Sequence, residues 1–366
     1  MRFRIVAPAV LLVFLFALAF TPAFSVFASA PQNSDPATCT VIPSIGMNAS
    51  IVATTGETIS GMNINAAPCD IGIYVGPGVS HVTITGNYIT GANDHGILVE
   101  NAMFTTISHN TVTGNQLHPA PDCTPGVVPP PTGCIAENKA VQLIGSSHSM
   151  IIGNNISFNM GSPGGGIGIS DNGAFDPGVP FPHPGTASPA DYNTIADNLV
   201  MFNLADCQIV VSAYNPGEGV SHNTVEANTI NVGVTGIVVA ADSPNTTATY
   251  NRVMNNYIAN EFIPGIIIHS NTPGDVVSHN SIIGNTLSNN GADPEVQGPG
   301  DMTGIILIGA VEPVTFSIVI HNHIMNENSS LSGQGYGIWS CNTLMSPMHA
   351  NSFINLTTPI HTQAAC

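Results

Sequence analysis

From about residue 61 onward, Ile, Val and Leu alternate with polar residues in bursts of three or four, and each burst is closed by Gly or Asn. Such alternation predicts short strands with one buried face, and the Gly and Asn mark the turns between them. The bursts recur in a fixed order. One block, a small or polar residue followed by Asn, any residue and Ile/Val/Leu, appears as Gly86-Asn87-Tyr88-Ile89, His109-Asn110-Thr111-Val112, Gly153-Asn154-Asn155-Ile156 and Asp197-Asn198-Leu199-Val200, and continues to His321-Asn322-His323-Ile324. A second block follows it each time, as in Gly96-Ile97-Leu98-Val99, Gly166-Ile167-Gly168-Ile169 and Gly236-Ile237-Val238-Val239. A third sets two Asn five apart, as from Asn193 to Asn198 and from Asn223 to Asn228. Each unit therefore reads as three short strands.

Strands this short cannot bury a face alone, whereas stacking one unit on the next pairs every backbone group with the neighbouring coil and closes a continuous core. The fold class expected is all-β, a right-handed parallel β-helix of about ten coils, some 45 Å long at about 4.8 Å per coil. Asn at a fixed turn position suits it for two reasons: Asn tolerates the left-handed conformation, and its amide can bond to the Asn one coil away. Loops are expected to leave the solenoid at 116–137 and 171–191, with shorter ones near 289–302 and 326–336.

These blocks, over roughly Gly61 to Thr362, resemble the repeats of the pectin-lyase-like proteins. The resemblance implies the right-handed fold and leaves function open, because that family holds lyases, polygalacturonases, epimerases, adhesins and non-catalytic members. The polygalacturonase and alginate-epimerase motifs are missing: Asn93-Asp94-His95-Gly96 shares only His-Gly with the former, and Asp293-Pro294-Glu295 lacks the His of the latter.

Arg2 and Arg4 precede an apolar run, Ile5 to Phe20, ending near Ala28-Ser29-Ala30, so residues 1–30 read as a secretory signal and 31–366 as one exported domain without a transmembrane segment. Beyond the signal only Lys139 and Arg252 are basic, against 22 acidic residues. A nucleic-acid partner is excluded on that charge, and a polyanionic glycan would need bridging cations. The seven cysteines suit an oxidising compartment, with local pairs Cys39–Cys69, Cys123–Cys134 and Cys341–Cys366 expected and Cys207 left as a buried thiol. Caps are expected at about 31–60 and 341–366.

Period-two alternation turns Ile97 and Val99 inward and fixes the outward rows. One contains Tyr74, Leu98, Gln142, Gly168, Val210, Val238, Ile267, Ile306 and Trp339; the other runs through Glu100, Ile144, Ser170, Ser212, Ala240 and His269. The apolar stretch Val210, Val238, Ile267, Ile306 and Trp339 is expected either to lie under the chain's own loops or to bind a partner. Asp94, His95 and Lys139, on adjacent coils, are the candidate catalytic residues, with Glu100, Gln142 and Asp171 on the same flank as binding groups; proton abstraction beside a uronate carboxylate needs a base and a cation, and Lys139 is the only Lys that can supply the latter. No metal site is expected, although His321 and His323 would share a strand face. No cofactor is required; Asp293, Glu295 and Asp301, or Asp171 and Asp176, offer oxygen ligands for Ca²⁺ without any repeated calcium signature. The expected function is a secreted or cell-surface protein that binds an extracellular glycan or protein without catalysis; the alternative is a polysaccharide lyase, C5-epimerase or glycoside hydrolase. Its oligomeric state stays open.

Overall fold

A computed structural model describes residues 38–116, 139–159, 165–171, 188–203, 207–293, 297, 302–326 and 335–366. The expected signal at 1–30 and the Cys123–Cys134 pair lie outside these residues. Among the described residues there is no helix long and apolar enough to cross a membrane.

The chain winds as a right-handed parallel β-helix. Its strands join into a 12-stranded sheet, two 10-stranded sheets and a shorter 5-stranded sheet, each built by taking one strand per coil. Strands Ile71–Val75, His95–Glu100, Lys139–Ile144, Gly165–Ser170 and Cys207–Ala213 succeed one another in the long sheet, in register and parallel. The ten strands of the second and third sheets match the ten coils expected. One antiparallel pair, Thr40–Ile42 with Met47–Val52, closes the N-terminal end, fastened to the first coil by the Cys39–Cys69 disulfide. The segment after Cys341 forms a further turn of the solenoid. Its strands pair in parallel with the coil before, and Cys341–Cys366 ties the two together.

The interior is one continuous column of Ile, Val and Leu. Ile97, Ile107 and Val112 of one coil, one residue from each main sheet, are fully buried above Val141, Ile151 and Ile156 of the next. The second block opens on Gly because the chain bends inward there: a Cβ on Gly96 would run into the Val112 side chain.

Asparagine ladders hold the coils together. Nine residues, Asn87, Asn110, Asn154, Asn198, Asn228, Asn256, Asn285, Asn322 and Asn351, form a chain of amide bonds, each Nδ2 donating to the Oδ1 of the next at 2.9–3.0 Å. The same Oδ1 accepts the backbone N–H of the preceding Asn, and the other amide hydrogen reaches a core carbonyl. A second ladder runs through Asn193, Asn223, Asn251 and Asn280. The interlocking bonds expected for these residues are present, but the left-handed conformation falls elsewhere. It belongs to the residue before each Asn, as in His109, Asp197, Ala227 and His321 with φ of 54–58°. That bend swings the following Asn inward, where it is buried and its four hydrogen-bonding positions can be filled. The same bend separates His321 from His323, which begins the strand His323–Met325, so the pair does not lie on one strand face.

The third ladder carries two irregularities. It passes from Asn115 through Asn159 to Asn203 and then meets Gly233, which has no side-chain amide to offer. Gln208 fills the gap: its Oε1 accepts from Asn203 Nδ2 at 2.8 Å, its Nε2 donates to Val232 O at 3.1 Å, and a Cβ on Gly233 would collide with it. One coil further on, Glu261 stands where Asn is the rule, its N–H bonded to Asn290 Oδ1 at 3.2 Å. Burial pushes its carboxyl well above the ordinary 4.5, with the Gly233 amide working weakly the other way.

Two expectations follow. Asn198→Ala strips partners from buried groups on three coils, so denaturant unfolding should show a loss of about 4 kcal/mol, against less than about 0.5 kcal/mol for the exposed Thr229→Ala. Glu261 ionises near 4.5 in the unfolded chain and only well above that when folded. The stability tied to its neutral form is therefore complete below about pH 4.5 and falls as pH rises toward the folded value. Glu261→Gln should make unfolding free energy less steep in pH over that interval and raise it at neutral pH; an unchanged slope would show that the folded carboxyl is not held neutral.

Candidate functional site

Three columns of side chains face outward from the long sheet. His95, Lys139, Gly165 and Cys207 form one; Tyr74, Leu98, Gln142, Gly168, Val210, Val238, Ile267, Ile306 and Trp339 form the second; Glu100, Ile144, Ser170, Ser212, Ala240, His269 and Ile308 form the third. Both outward rows expected from alternation are thus in place.

The residues singled out from the sequence are mostly buried. His95 and Lys139 come together, His95 Nδ1 lying 2.8 Å from the Lys139 carbonyl oxygen, and both are fully buried. The Lys139 side chain lies across Gly165, where any Cβ would be 2.8 Å from its Cδ. Asp94 precedes this strand, and its backbone N–H donates to Asp70 O. Glu100 accepts the Tyr74 hydroxyl at 2.7 Å; burial first, then the Glu100 charge, raises the Tyr74 phenol far above its usual value. Gln142 donates to Ser170 Oγ at 3.1 Å. Asp171 turns toward the following coil, accepting from the backbone of Tyr214 at 2.7 Å and Asn215 at 3.3 Å, and burial pushes its carboxyl up to about 7. Val210, Val238 and Ile267 pack with Cys207 and Ala240 in one buried cluster; Ile306 and Trp339 pack with Tyr336, Ile308 and Cys341 in another. Among the described residues no group of three or more His, Cys, Asp or Glu is placed to hold a metal ion. Of the Ca²⁺ candidates, Asp176, Glu295 and Asp301 lie outside the described residues.

Sequence reasoning missed a different polar group, farther along the same face. Ser212, on the strand Cys207–Ala213, donates to Asp242 Oδ2 at 2.6 Å. Asp242 follows the strand Thr235–Ala241 at the corner where the long sheet ends, and its Oδ1 accepts from Asn271 Nδ2 at 2.7 Å. His269, one coil on, brings Nδ1 to 3.7 Å from the same Oδ1. The imidazole and the carboxylate keep 19% and 10% of their side-chain surface open, so solvent reaches them, as it does not reach His95 or Lys139. His269 was legible in the outward row. Asp242 was not, because it stands one residue past the strand, where alternation no longer assigns a direction.

Chemically, this group is a histidine and a carboxylate held on adjacent coils beside an apolar cluster. At 3.7 Å the Nδ1–Oδ1 contact is one of charge and proximity, which keeps the imidazole beside the carboxylate without a hydrogen bond between them.

Residues 48–214 match the family model described as a right handed beta helix region. No curated protein sequence matches the chain. Among solved structures, the A-module of a mannuronan C-5 epimerase from Azotobacter vinelandii superposes with a TM-score of 0.54 at 12% identity, over 87% of this chain and 77% of that one. An exopolygalacturonase from Thermotoga maritima superposes at 0.52 and 12% identity over 75% of this chain; the chain spans about half of that enzyme's length, 53%. A DFA-IIIase from Arthrobacter chlorophenolicus, solved without its lid, gives 0.50 at 15% identity, over 81% of this chain and 64% of that one. In fold, the chain is a right-handed parallel β-helix protein.

Proposed function

We propose that this chain is an extracellular carbohydrate-active protein that cleaves a neutral polysaccharide on the outer face of the long sheet, with His269 as the proton-transfer group and Asp242 as the residue that positions it. The observation that carries the reading is the solvent-reached Asp242–His269 pair, its carboxylate held by Ser212 from the coil before and Asn271 from the coil after. Hydrolysis breaks the glycosidic C–O bond as water adds its oxygen to the anomeric carbon and a proton passes to the leaving oxygen; the imidazolium gives that proton and, then neutral, takes the one that the water releases. Fold neighbours named as an exopolygalacturonase, a mannuronan epimerase and a DFA-IIIase support a carbohydrate substrate. The two disulfides among the described residues support an extracellular setting.

Charge favours a neutral chain over a polyuronate. Lyase and epimerase chemistry works on the proton beside a uronate carboxylate and needs a cation to hold that group. Lys139 is fully buried, and Arg252 lies on the strand Arg252–Met254 of a different sheet. A second reading, glycan binding without catalysis, draws on the same solvent-reached pair, whose carboxylate and imidazole can hold sugar hydroxyls without cleaving the chain.

Incubation with neutral polysaccharides and polyuronates, with Ca²⁺ and with chelator, followed by reducing ends and by unsaturated-product absorbance, tests both. The expected result is reducing ends from a neutral substrate, insensitive to chelator, with kcat lowered on the order of 100-fold in His269→Ala and less in Asp242→Asn. Undiminished activity in His269→Ala would overturn the assignment of that residue; binding without products from any substrate would establish the non-catalytic reading.

A further inference from the structure

The corner that leads into the second sheet carries a row of rings. In successive coils its left-handed residue is His81, Phe104, His148, Tyr192, His222, Tyr250, His279 and Phe316, all with φ of 50–59°. Neighbouring rings lie 4.8–5.3 Å apart with planes 2–27° from parallel, a single stack whose seven steps cover about 35 Å of the rod. The whole row is exposed; Phe104, Tyr192, Tyr250 and Phe316 keep 44–52% of their surface open.

Packing the coils does not require this. At the next corner the equivalent residues are Gly86, His109, Gly153, Asp197, Ala227, Asn255, Gly284 and His321, six of them without a ring, and the ladder there is unbroken. Each open ring leaves on the order of 100 Å² in water, so the four carbocycles alone expose about 400 Å², the size at which a contiguous apolar patch marks a contact surface. Because each ring turns its faces to its neighbours, solvent meets edges. Those edges are polar at every step from His148 to His279, imidazole nitrogens alternating with the hydroxyls of Tyr192 and Tyr250. The Nδ1 atoms of His222 and His279 lie 3.0 and 3.1 Å from Ser221 and Ser278 Oγ, which turns Nε2 outward.

We infer that this row is a docking line for a neutral, extended polysaccharide lying along the rod axis. A straight array of hydrogen-bonding edges repeating at the coil spacing complements a polymer whose own repeat, one sugar ring, is of the same order; a globular partner would meet it at only a few points. Charge selects against the other occupants, since a chain of net charge −18 repels both a second copy of itself and an anionic membrane or polyuronate. The row lies at the corner before strands such as Thr194–Ala196 and Thr224–Glu226, away from the outer face of the long sheet, so it is a second surface and does not depend on catalysis at His269.

The test is depletion of the protein from solution by microcrystalline cellulose, with soluble polygalacturonate as the anionic comparison. His148→Asn, Tyr192→Asn, His222→Asn and Tyr250→Asn are combined; Asn occupies such corners in this chain at Asn255 and Asn260, so the backbone conformation is retained. The expected result is at least a tenfold loss of cellulose affinity in the fourfold variant with its thermal unfolding midpoint unchanged, no binding to polygalacturonate, and full cellulose binding by the exposed Thr229→Ala. Unchanged cellulose binding by the fourfold variant overturns the proposal, as does absence of cellulose binding by the unmodified protein. Sedimentation showing a dimer that the four substitutions dissolve would also overturn it, assigning the row to a second copy of the chain.

Discussion

Each internal coil of this protein is joined to the next by an asparagine whose amide is used completely. Its oxygen takes two hydrogens from the coil before; its nitrogen gives one to the core and one to the coil after. In a buried setting such a group is tolerable only when every position is filled, so the bonds act as a gauge. A strand displaced by one residue would leave amides unsatisfied as well as turning its apolar residues outward. The columns of the long sheet, the corner rows and the solvent-reached group at Asp242 all inherit their alignment from that requirement.

The alignment places chemistry where the regular pattern ends. Side chains in the middle of the outer face are buried and bonded to one another: Tyr74 to Glu100, Gln142 to Ser170. Asp242 follows its strand, at a corner where a carboxylate can draw on two neighbouring coils, and His269 meets it because the register puts Ser212, Ala240 and His269 in one column. Strand geometry supplies the spacing, and the corner supplies the access.

Much of this was legible in the residues alone. The repeating Asn and Gly blocks carry the fold, and two disulfides fall between cysteines close in sequence. Orientation was harder to read. Asn is the usual left-handed residue, yet here it is the residue before Asn that bends, since only an inward amide can be shared between coils. The placement of His95 and Lys139 could not be read from alternation: they share the parity of the inward Ile97 and Val141, and only the inward bend at Gly96 and Ala140 puts them in an outward column. The ring row was present as Tyr192-Asn193, His222-Asn223, Tyr250-Asn251 and His279-Asn280, an aromatic or His before each ladder Asn. Apolar periodicity does not register residues standing at corners.

Gln208 and Gly233 show that the coils are not interchangeable. A rod built from identical rungs can lengthen or shorten by recombination in whole turns, each addition meeting the same amide on both sides. Here the side chain of one turn completes the ladder of the next, so the two must be inherited together. A deletion that removed Gly233 and kept Gln208 would force two side chains into one space; the reverse would leave Asn203 facing a void. The middle of this rod is therefore fixed in length, and duplication or loss of turns is easiest toward its two ends.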